Sequence, residues 1–136
     1  MKYLAIDYGT KRIGLAVCDP SEIIVSPLAV IQGQKNLLKK ISDLIETENI
    51  EAVVLGLPLN MDDSTGPQAK SVLQFAEKLK NHIDIPLHFQ DERLTSFSAE
   101  QKLAAAELTR KKINKYLDAI AAAEILQAFL DQKKRL

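Results

Sequence analysis

Short apolar stretches alternate with polar turns and with longer amphipathic segments along this chain. The first two apolar stretches flank a tight turn at 9–12 and predict an antiparallel hairpin. A later run, 52–57, is apolar at almost every position, which is typical of a strand that is buried on both faces. Together, the apolar stretches predict five strands, at 4–6, 13–17, 28–31, 52–57 and 87–90.

Apolar residues at helical spacing follow the third, fourth and fifth predicted strands. Leu37, Ile41 and Leu44 form such a stripe within a helix predicted over 34–48. A second helix is predicted after a polar loop at 59–65 and ends near His82. A third is capped by Thr95 or Ser96 and runs through Ala106, and a fourth covers 116–132. The basic segment 107–115 between the last two is predicted to be less regular.

The order of these elements, βββαβαβαα, predicts an α/β fold with one mixed five-stranded sheet and helices on its faces. No linker or repeat divides the 136 residues, so we expect a single domain over 1–136. In such sheets, functional sites form where strand ends meet loops and helix termini. If the strands at 4–6, 52–57 and 87–90 are parallel, the residues that follow them lie along one edge.

Composition narrows the class of protein only slightly. With 18 basic and 18 acidic side chains the formal net charge is zero, which argues against a polycation that coats DNA but allows local positive patches. No signal peptide is apparent, and no apolar run approaches the roughly 20 residues needed to span a bilayer. We therefore expect a cytoplasmic protein in which the lone Cys18 is a core thiol.

Two aspartates occupy positions that are costly unless a cation or hydrogen bonds compensate them. Asp7 ends the first apolar strand and leads into a glycine turn. Asp118 is in phase with the apolar stripe of the last helix, which includes Ala121 and Ile125. The small residues of that helix would let it approach the sheet near Asp7. The alternative for Asp118 is a carboxylate in the first helical turn that the helix dipole favours.

A second pair of acids, Asp91 and Glu92, ends the last predicted strand. Because neighbouring side chains point to opposite faces of a strand, only one of the two is expected to be a metal ligand. The other would bind the backbone of the next helix or pair with Arg93, and a simple polar strand end is the alternative for both. Asp62 and Asp63 lie among turn residues, and a turn role is expected for them.

Carboxylates without a catalytic His or Cys suit Mg²⁺ or Mn²⁺, since these ions prefer oxygen ligands. Two such ions can activate water and stabilise the leaving oxygen of a phosphodiester. His82 and His88 are expected to be structural or surface residues. Cations near the acids indicate a phosphate substrate: Lys11 and Arg12 beside Asp7, and Arg110, Lys111, Lys112 and Lys115 before Asp118.

Four motifs resemble those of the YqgF/RuvX-like proteins, which are relatives of the RuvC Holliday-junction resolvases within the ribonuclease H-like superfamily. They are Asp-Tyr-Gly-Thr-Lys-Arg-Ile-Gly-Leu-Ala-Val at 7–17, Gly-Leu-Pro-Leu-Asn-Met-Asp at 56–62, Asp-Glu-Arg-Leu-Thr at 91–95 and Leu-Asp-Ala-Ile-Ala-Ala at 117–122. They occur in the order and spacing of that family, and the resemblance covers essentially the whole chain. One departure is Asp63, where the family's loop often has glycine. Another is the segment before Asp118, which is unusually basic and lacks the expected glycines.

The resemblance implies a ribonuclease H-like fold and metal-binding acids at Asp7, the Asp91–Glu92 pair and Asp118. Within the pair, Glu92 is the preferred ligand. Family members are associated with maturation of the 5′ end of precursor 16S ribosomal RNA and were earlier proposed to be junction resolvases. The resemblance thus implies a metal-dependent nuclease with Asp7, Glu92 and Asp118 as catalytic residues.

We interpret the chain as a nuclease that acts on structured RNA, as a monomer or homodimer, on precursor ribosomal RNA or ribosomal particles. The residues expected to meet this substrate are Lys11, Arg12, Asn60, Arg93, Arg110, Lys111 and Lys115. One alternative is a dimeric DNA endonuclease that resolves four-way junctions. Another is a non-catalytic ribosome-assembly factor that binds RNA. ATP binding in the manner of actin-like proteins is disfavoured, because such proteins need two lobes.

Overall fold

The five predicted strands are present and form one mixed sheet. A computed structural model describes residues 1–60, 62, 64–92 and 110–135, with the backbone alone for 110–115. The strands are β1 (Tyr3–Asp7), β2 (Arg12–Cys18), β3 (Val25–Gln32), β4 (Ala52–Leu57) and β5 (Leu87–Asp91). The helices are α1 (Leu37–Thr47), α2 (Pro67–Lys80) and α3 (Arg110–Lys134). The helix predicted through Ala106 lies outside the described residues.

Strand order places the ends of β1, β4 and β5 together. The sheet order is β3-β2-β1-β4-β5, with β1 in the centre. The β1–β2 and β2–β3 pairs are antiparallel, whereas β1–β4 and β4–β5 are parallel. Because parallel strands end at the same edge, Asp7, Leu57 and Asp91 terminate neighbouring strands there. This confirms the expectation that the strand-end residues share an edge.

Each face of the sheet is covered by its own apolar cluster. One face packs Leu4 and Ile6 of β1 against α1 and α2. The other packs Tyr3 and Ala5 against Ile125 and other apolar residues of α3. Alternation of side chains along β1 therefore directs Asp7 to the α3 face. No helix in the described part of the chain is long and apolar enough to cross a membrane.

Two element boundaries differ from the predictions. The last helix begins at Arg110, so the prediction that 107–115 is less regular is wrong for 110–115. Arg and Lys are good helix formers, and the basic residues therefore extend the helix. Strand β3 spans Val25–Gln32 rather than 28–31, because it pairs with β2 over this whole length. Several positions of this edge strand are exposed, so the sequence there lacks the apolar run from which the full length of the strand could have been predicted.

Candidate active site

Asp7 lies between two glycines on the α3 face of the sheet. Across the antiparallel pair its partner on β2 is Gly14. On the parallel side, Ile6 pairs with Leu55, and this register brings Gly56 of β4 beside Asp7. The carboxylate therefore has no neighbouring side chain on either adjacent strand, and the space above those strands is open to groups from elsewhere.

Gly14 determines how closely α3 approaches the sheet. A Cβ atom at this position would overlap the backbone carbonyl of Asp118. The helix backbone thus rests directly on β2, one strand away from Asp7. This contact explains how Asp118 comes close to Asp7, as the sequence predicted, since its negative charge contributes to raising the Asp7 pKa.

Gly56 makes room for Glu92 in the same way. A Cβ atom here would overlap a carboxyl oxygen of Glu92 and would lie 2.6 Å from Cδ1 of Ile125. The backbone N–H of Glu92 donates to the carbonyl of Leu57 at 3.3 Å, which continues the pairing of β5 with β4 by one residue. Glu92 is thereby fixed with its carboxyl group over the end of β4.

The side chains of Asp7 and Glu92 meet through a hydrogen bond between their carboxyl groups. Burial, the charge of Asp7 and this hydrogen bond raise the pKa of Glu92 to about 8. Burial raises the pKa of Asp7 to about 6, although the hydrogen bond with Glu92 acts in the opposite direction. The two groups titrate as one unit, and near neutral pH the pair shares a proton.

Asp91 takes no part in this pair. Strand alternation directs its side chain to the face opposite Glu92, and Asp91 acts on Glu92 through its negative charge, which also raises the Glu92 pKa. Of the two acids that the sequence left as alternatives, Glu92 is the one that contacts Asp7. The metal-ligand role of either acid remains a prediction.

The side chain of Asp118 forms an ion pair with an arginine. Nε of Arg12 donates to Oδ2 of Asp118 at 2.9 Å. The Asp118 side chain is 27% exposed, so its position in phase with the apolar stripe leaves it half-buried. Arg12 itself is 57% exposed, and the guanidinium has donors besides Nε that can bind a phosphate.

The chemistry of these donors fits a hard divalent cation, although the residues that the structure describes form no complete ligand set. Among the described residues, no group of three or more His, Cys, Asp or Glu side chains is placed to hold a metal ion. Asp7 and Glu92 nevertheless form a half-buried carboxyl pair that is costly to ionise without a cation. Carboxylate oxygens are the ligands that Mg²⁺ and Mn²⁺ prefer, so a cation could replace the shared proton.

The remaining predicted substrate residues lie around this edge to differing extents. Asn60 follows β4 and is held in its loop by a hydrogen bond from Nδ2 to Oγ of Ser64 at 3.0 Å. Lys11 is exposed in the turn before β2. Arg93 lies outside the described residues. Arg110, Lys111 and Lys115 belong to the first turns of α3, where only the backbone is described.

Several residues have local structural roles that agree with the sequence analysis. Asp62 accepts hydrogen bonds from N and Oγ of Ser64, as a turn residue does. His88 packs against the rings of Tyr3 and Phe129, which also contact each other. Cys18 is buried, and its sulfur accepts a hydrogen bond from the Tyr3 N–H at 3.3 Å. Among the described contacts, none joins Asp62, His88 or Cys18 to the Asp7–Glu92 pair.

The sequence analysis missed the contributions of Gly14 and Gly56. Each interrupts a buried strand with a residue that lacks a side chain, and such a glycine often marks the close approach of another group. That signal was present in the sequence, but it does not identify the approaching group. Asp118 and Glu92 are 104 and 36 positions away along the chain from Gly14 and Gly56, respectively.

The chain is similar to known proteins over nearly its whole length. A family described as RuvX, Holliday junction resolvase, matches residues 1–132. A protein of Roseiflexus sp. (strain RS-1) that is named as a proposed pre-16S rRNA nuclease is 40% identical over 135 residues, which cover 98% of this chain and 96% of that protein. A protein of the same name from Syntrophomonas wolfei is 42% identical over 133 residues, with coverages of 96% and 94%.

Among solved structures, the chain is similar to T. thermophilus RuvC in complex with a Holliday junction substrate. The TM-score is 0.61 and the sequence identity is 14%, with 98% of this chain and 96% of that chain covered. At this identity the similarity concerns the fold alone. It confirms the expected ribonuclease H-like fold.

Proposed function

The chain belongs to the RuvX family, and from this membership we propose that it is a divalent-metal-dependent nuclease that acts in maturation of the 5′ end of precursor 16S ribosomal RNA. The observation that supports this most directly is the half-buried Asp7–Glu92 pair, at the end of β1 and directly after β5. Its curated relatives, named as proposed pre-16S rRNA nucleases, suggest the substrate.

The proposed cofactor is Mg²⁺ or Mn²⁺, held by Asp7, Glu92 and Asp118, with Asp91 as a further acid close by. Such an ion, when bound, supplies a Lewis acid that activates water and stabilises the leaving oxygen. Before it binds, the carboxyl pair retains a proton and Arg12 neutralises Asp118. In the metal-free protein, the negative charge of the three carboxyl groups is therefore partly neutralised by the shared proton and by Arg12.

The basic residues near the edge are proposed to bind the phosphates of the substrate. Arg12 contacts Asp118, Lys11 precedes it in the exposed turn before β2, and Asn60 lies in the loop after β4. Arg93, Arg110, Lys111 and Lys115 are proposed to extend this contact along the RNA. We further propose that the protein works in the cytoplasm as a single domain over 1–136, on precursor ribosomal RNA or on ribosomal particles.

A second candidate function is the resolution of branched DNA. The description of the matching family favours it, since it names Holliday junction resolvases. Paired cuts across a junction require two sites, so this function would need a homodimer.

A direct cleavage comparison tests these functions. Wild-type protein, Asp7→Asn and the control Asp84→Asn, which changes an exposed acid, are each incubated with Mn²⁺ and three substrates: a precursor 16S fragment, an unstructured RNA and a four-way DNA junction. We expect wild type and Asp84→Asn to cleave the precursor fragment, and Asp7→Asn to lose at least roughly 100-fold in rate. Cleavage of the junction alone would favour the second candidate. No cleavage of any substrate would contradict catalysis and favour an RNA-binding assembly factor.

A further inference from the structure

A groove between α1 and α2 lies on the face of the sheet opposite α3. It consists of two cavities of about 550 and 440 Å³ that share Tyr8 and Ser71 in their walls. The smaller cavity is also lined by Gly9 and Thr10, which follow β1. Since Tyr8 comes directly after Asp7, one wall of this groove continues into the chain segment that carries one member of the acidic pair.

Tyr8 lines both cavities, and its ring is fixed by two contacts. It stacks on Phe75 with 4.3 Å between ring centroids and an interplanar angle of 17°. Its hydroxyl donates to Oε1 of Gln34 at 3.1 Å. Nε2 of Gln34 in turn donates to the carbonyl of Gly9 at 3.4 Å. An aromatic ring that is already held in place can stack on a further planar group without losing much conformational freedom.

The walls around this ring are cationic and amide-rich. Lys39 and Lys78 line the larger cavity, together with amide side chains such as Gln74. None of the described residues that line either cavity is an acid. Lys39 does pair with Asp43 on its own helix at 3.1 Å, but this pair is exposed. Exposed pairs of this kind contribute little, so a phosphate can replace Asp43 as the partner of Lys39.

We propose that this groove binds a single-stranded RNA segment that flanks the cleaved bond, with a base stacked on Tyr8 and phosphates at Lys39 and Lys78. The inference rests on the nuclease function proposed above and adds a binding site on the opposite face of the sheet. Aromatic rings beside cationic positions hold single strands in this way, because every unpaired base offers a planar face. A fully paired duplex keeps its bases stacked on one another and cannot use the ring.

Binding measurements on the Asp7→Asn protein, in which cleavage is blocked, test this site. Fluorescence anisotropy compares a blunt RNA duplex with the same duplex carrying a single-stranded extension, across a salt series. The extended probe should bind more tightly. Adding Lys39→Gln and Lys78→Gln should remove this preference and make the slope of log affinity against log salt shallower by about 1.4, for two lost contacts to single-stranded phosphates.

A matched control removes two lysines from the same helices outside the groove. Lys40 and Lys70 are exposed and line neither cavity. Lys40→Gln with Lys70→Gln changes the net charge equally, and the preference for the extended probe should remain. If both double variants lost the preference for the extended probe equally, the preference would depend on overall charge alone. That result would contradict a specific binding site in the groove.

Substitution of Tyr8 tests the stacking contact separately. Tyr8→Ala should weaken binding of the extended probe by roughly 5-fold or more, whereas Tyr8→Phe should retain it, because the ring face is preserved. Melting temperatures establish that both variants fold. Equal affinity of the wild-type groove for blunt and extended probes would overturn the proposal even if the RNA is cleaved. Groove-dependent binding without cleavage by active protein would instead contradict only the nuclease function.

Discussion

At the centre of β1 and β2, the two faces of the sheet present residues of different size. Toward α3, these strands present Ala5, Gly14 and Ala16 there, with the larger Tyr3 nearer the start of β1. Toward α1 and α2, the same strands present Ile6 and Leu15. The small residues let α3 rest on the strands, whereas the large ones hold the other two helices at side-chain distance.

This difference gives the two faces of the sheet different environments. Close packing on the α3 face partly removes the Asp7–Glu92 pair from water and raises both pKa values. On the other face, the wider spacing leaves the groove beside Tyr8 and Phe75 open at the surface. The chemistry is therefore expected where helix and sheet are closest, and the binding of a flexible strand where they are farther apart.

The largest effect is expected from adding one methyl group on the close-packed face. Gly14→Ala places a Cβ atom against the backbone of Asp118, which a rotamer change cannot relieve. We expect a loss of about 3 kcal/mol in the free energy of unfolding, measured by urea titration. The stabilisation by Mn²⁺ should also fall, since Asp118 is displaced.

The matched variant is Ile13→Val, which removes one methyl group from the adjacent residue on the opposite face. Ile13 is fully buried in the other cluster, and the change should cost only about 1 kcal/mol. If Gly14→Ala were no more destabilising than Ile13→Val, the close contact of α3 with β2 would not control the site.

The sequence predicted the acids better than their partners. Asp7 was recognisable because it ends an apolar strand, and the Asp91–Glu92 pair because it ends the last predicted strand; strand order then brings Asp7 and Glu92 together. The link between Arg12 and Asp118 was not predictable, since it joins residues 106 positions apart through the packing of α3. The pairing of Tyr8 with Phe75 likewise depends on how α2 lies on the sheet. Local periodicity identifies elements, whereas contacts of this kind are set by tertiary packing.

A second prediction concerns the pH dependence of the metal-free protein. The folded pKa values of Asp7 and Glu92, about 6 and about 8, lie above those of the unfolded chain. The stability that the protonated pair contributes is complete below about pH 4 and is lost as pH rises through these folded values. Glu92→Gln cannot ionise, so at pH 8.5 it should be more stable than wild type by about 2 kcal/mol, and at pH 4.5 the difference should be small.

Urea titrations with a chelator at both pH values measure this difference. Glu77→Gln, which changes an exposed acid on α2, should follow the wild-type profile. Saturating Mn²⁺ at pH 8.5 should stabilise wild type and leave Glu92→Gln nearly unchanged, because a cation that binds only the folded state removes the repulsion between the carboxylates. A constant difference between wild type and Glu92→Gln across the pH range would contradict the shared-proton pair.

The smallest effect is expected from the ion pair of Arg12, at the start of β2, with Asp118 of α3. Arg12 is more than half exposed, so Arg12→Gln should lower the metal-free free energy of unfolding by only about 0.5 kcal/mol. The same change releases Asp118 from its partner, so the rise in melting temperature caused by Mn²⁺ should become larger than in wild type. Lys11→Gln removes the neighbouring exposed positive charge and serves as the control. It should measurably reduce neither the free energy of unfolding nor the rise in melting temperature caused by Mn²⁺. If Arg12→Gln instead diminished the effect of Mn²⁺, Arg12 would position Asp118 for metal binding rather than compete with the metal for it. The Arg12–Asp118 pair would then be present in the metal-bound form of the site.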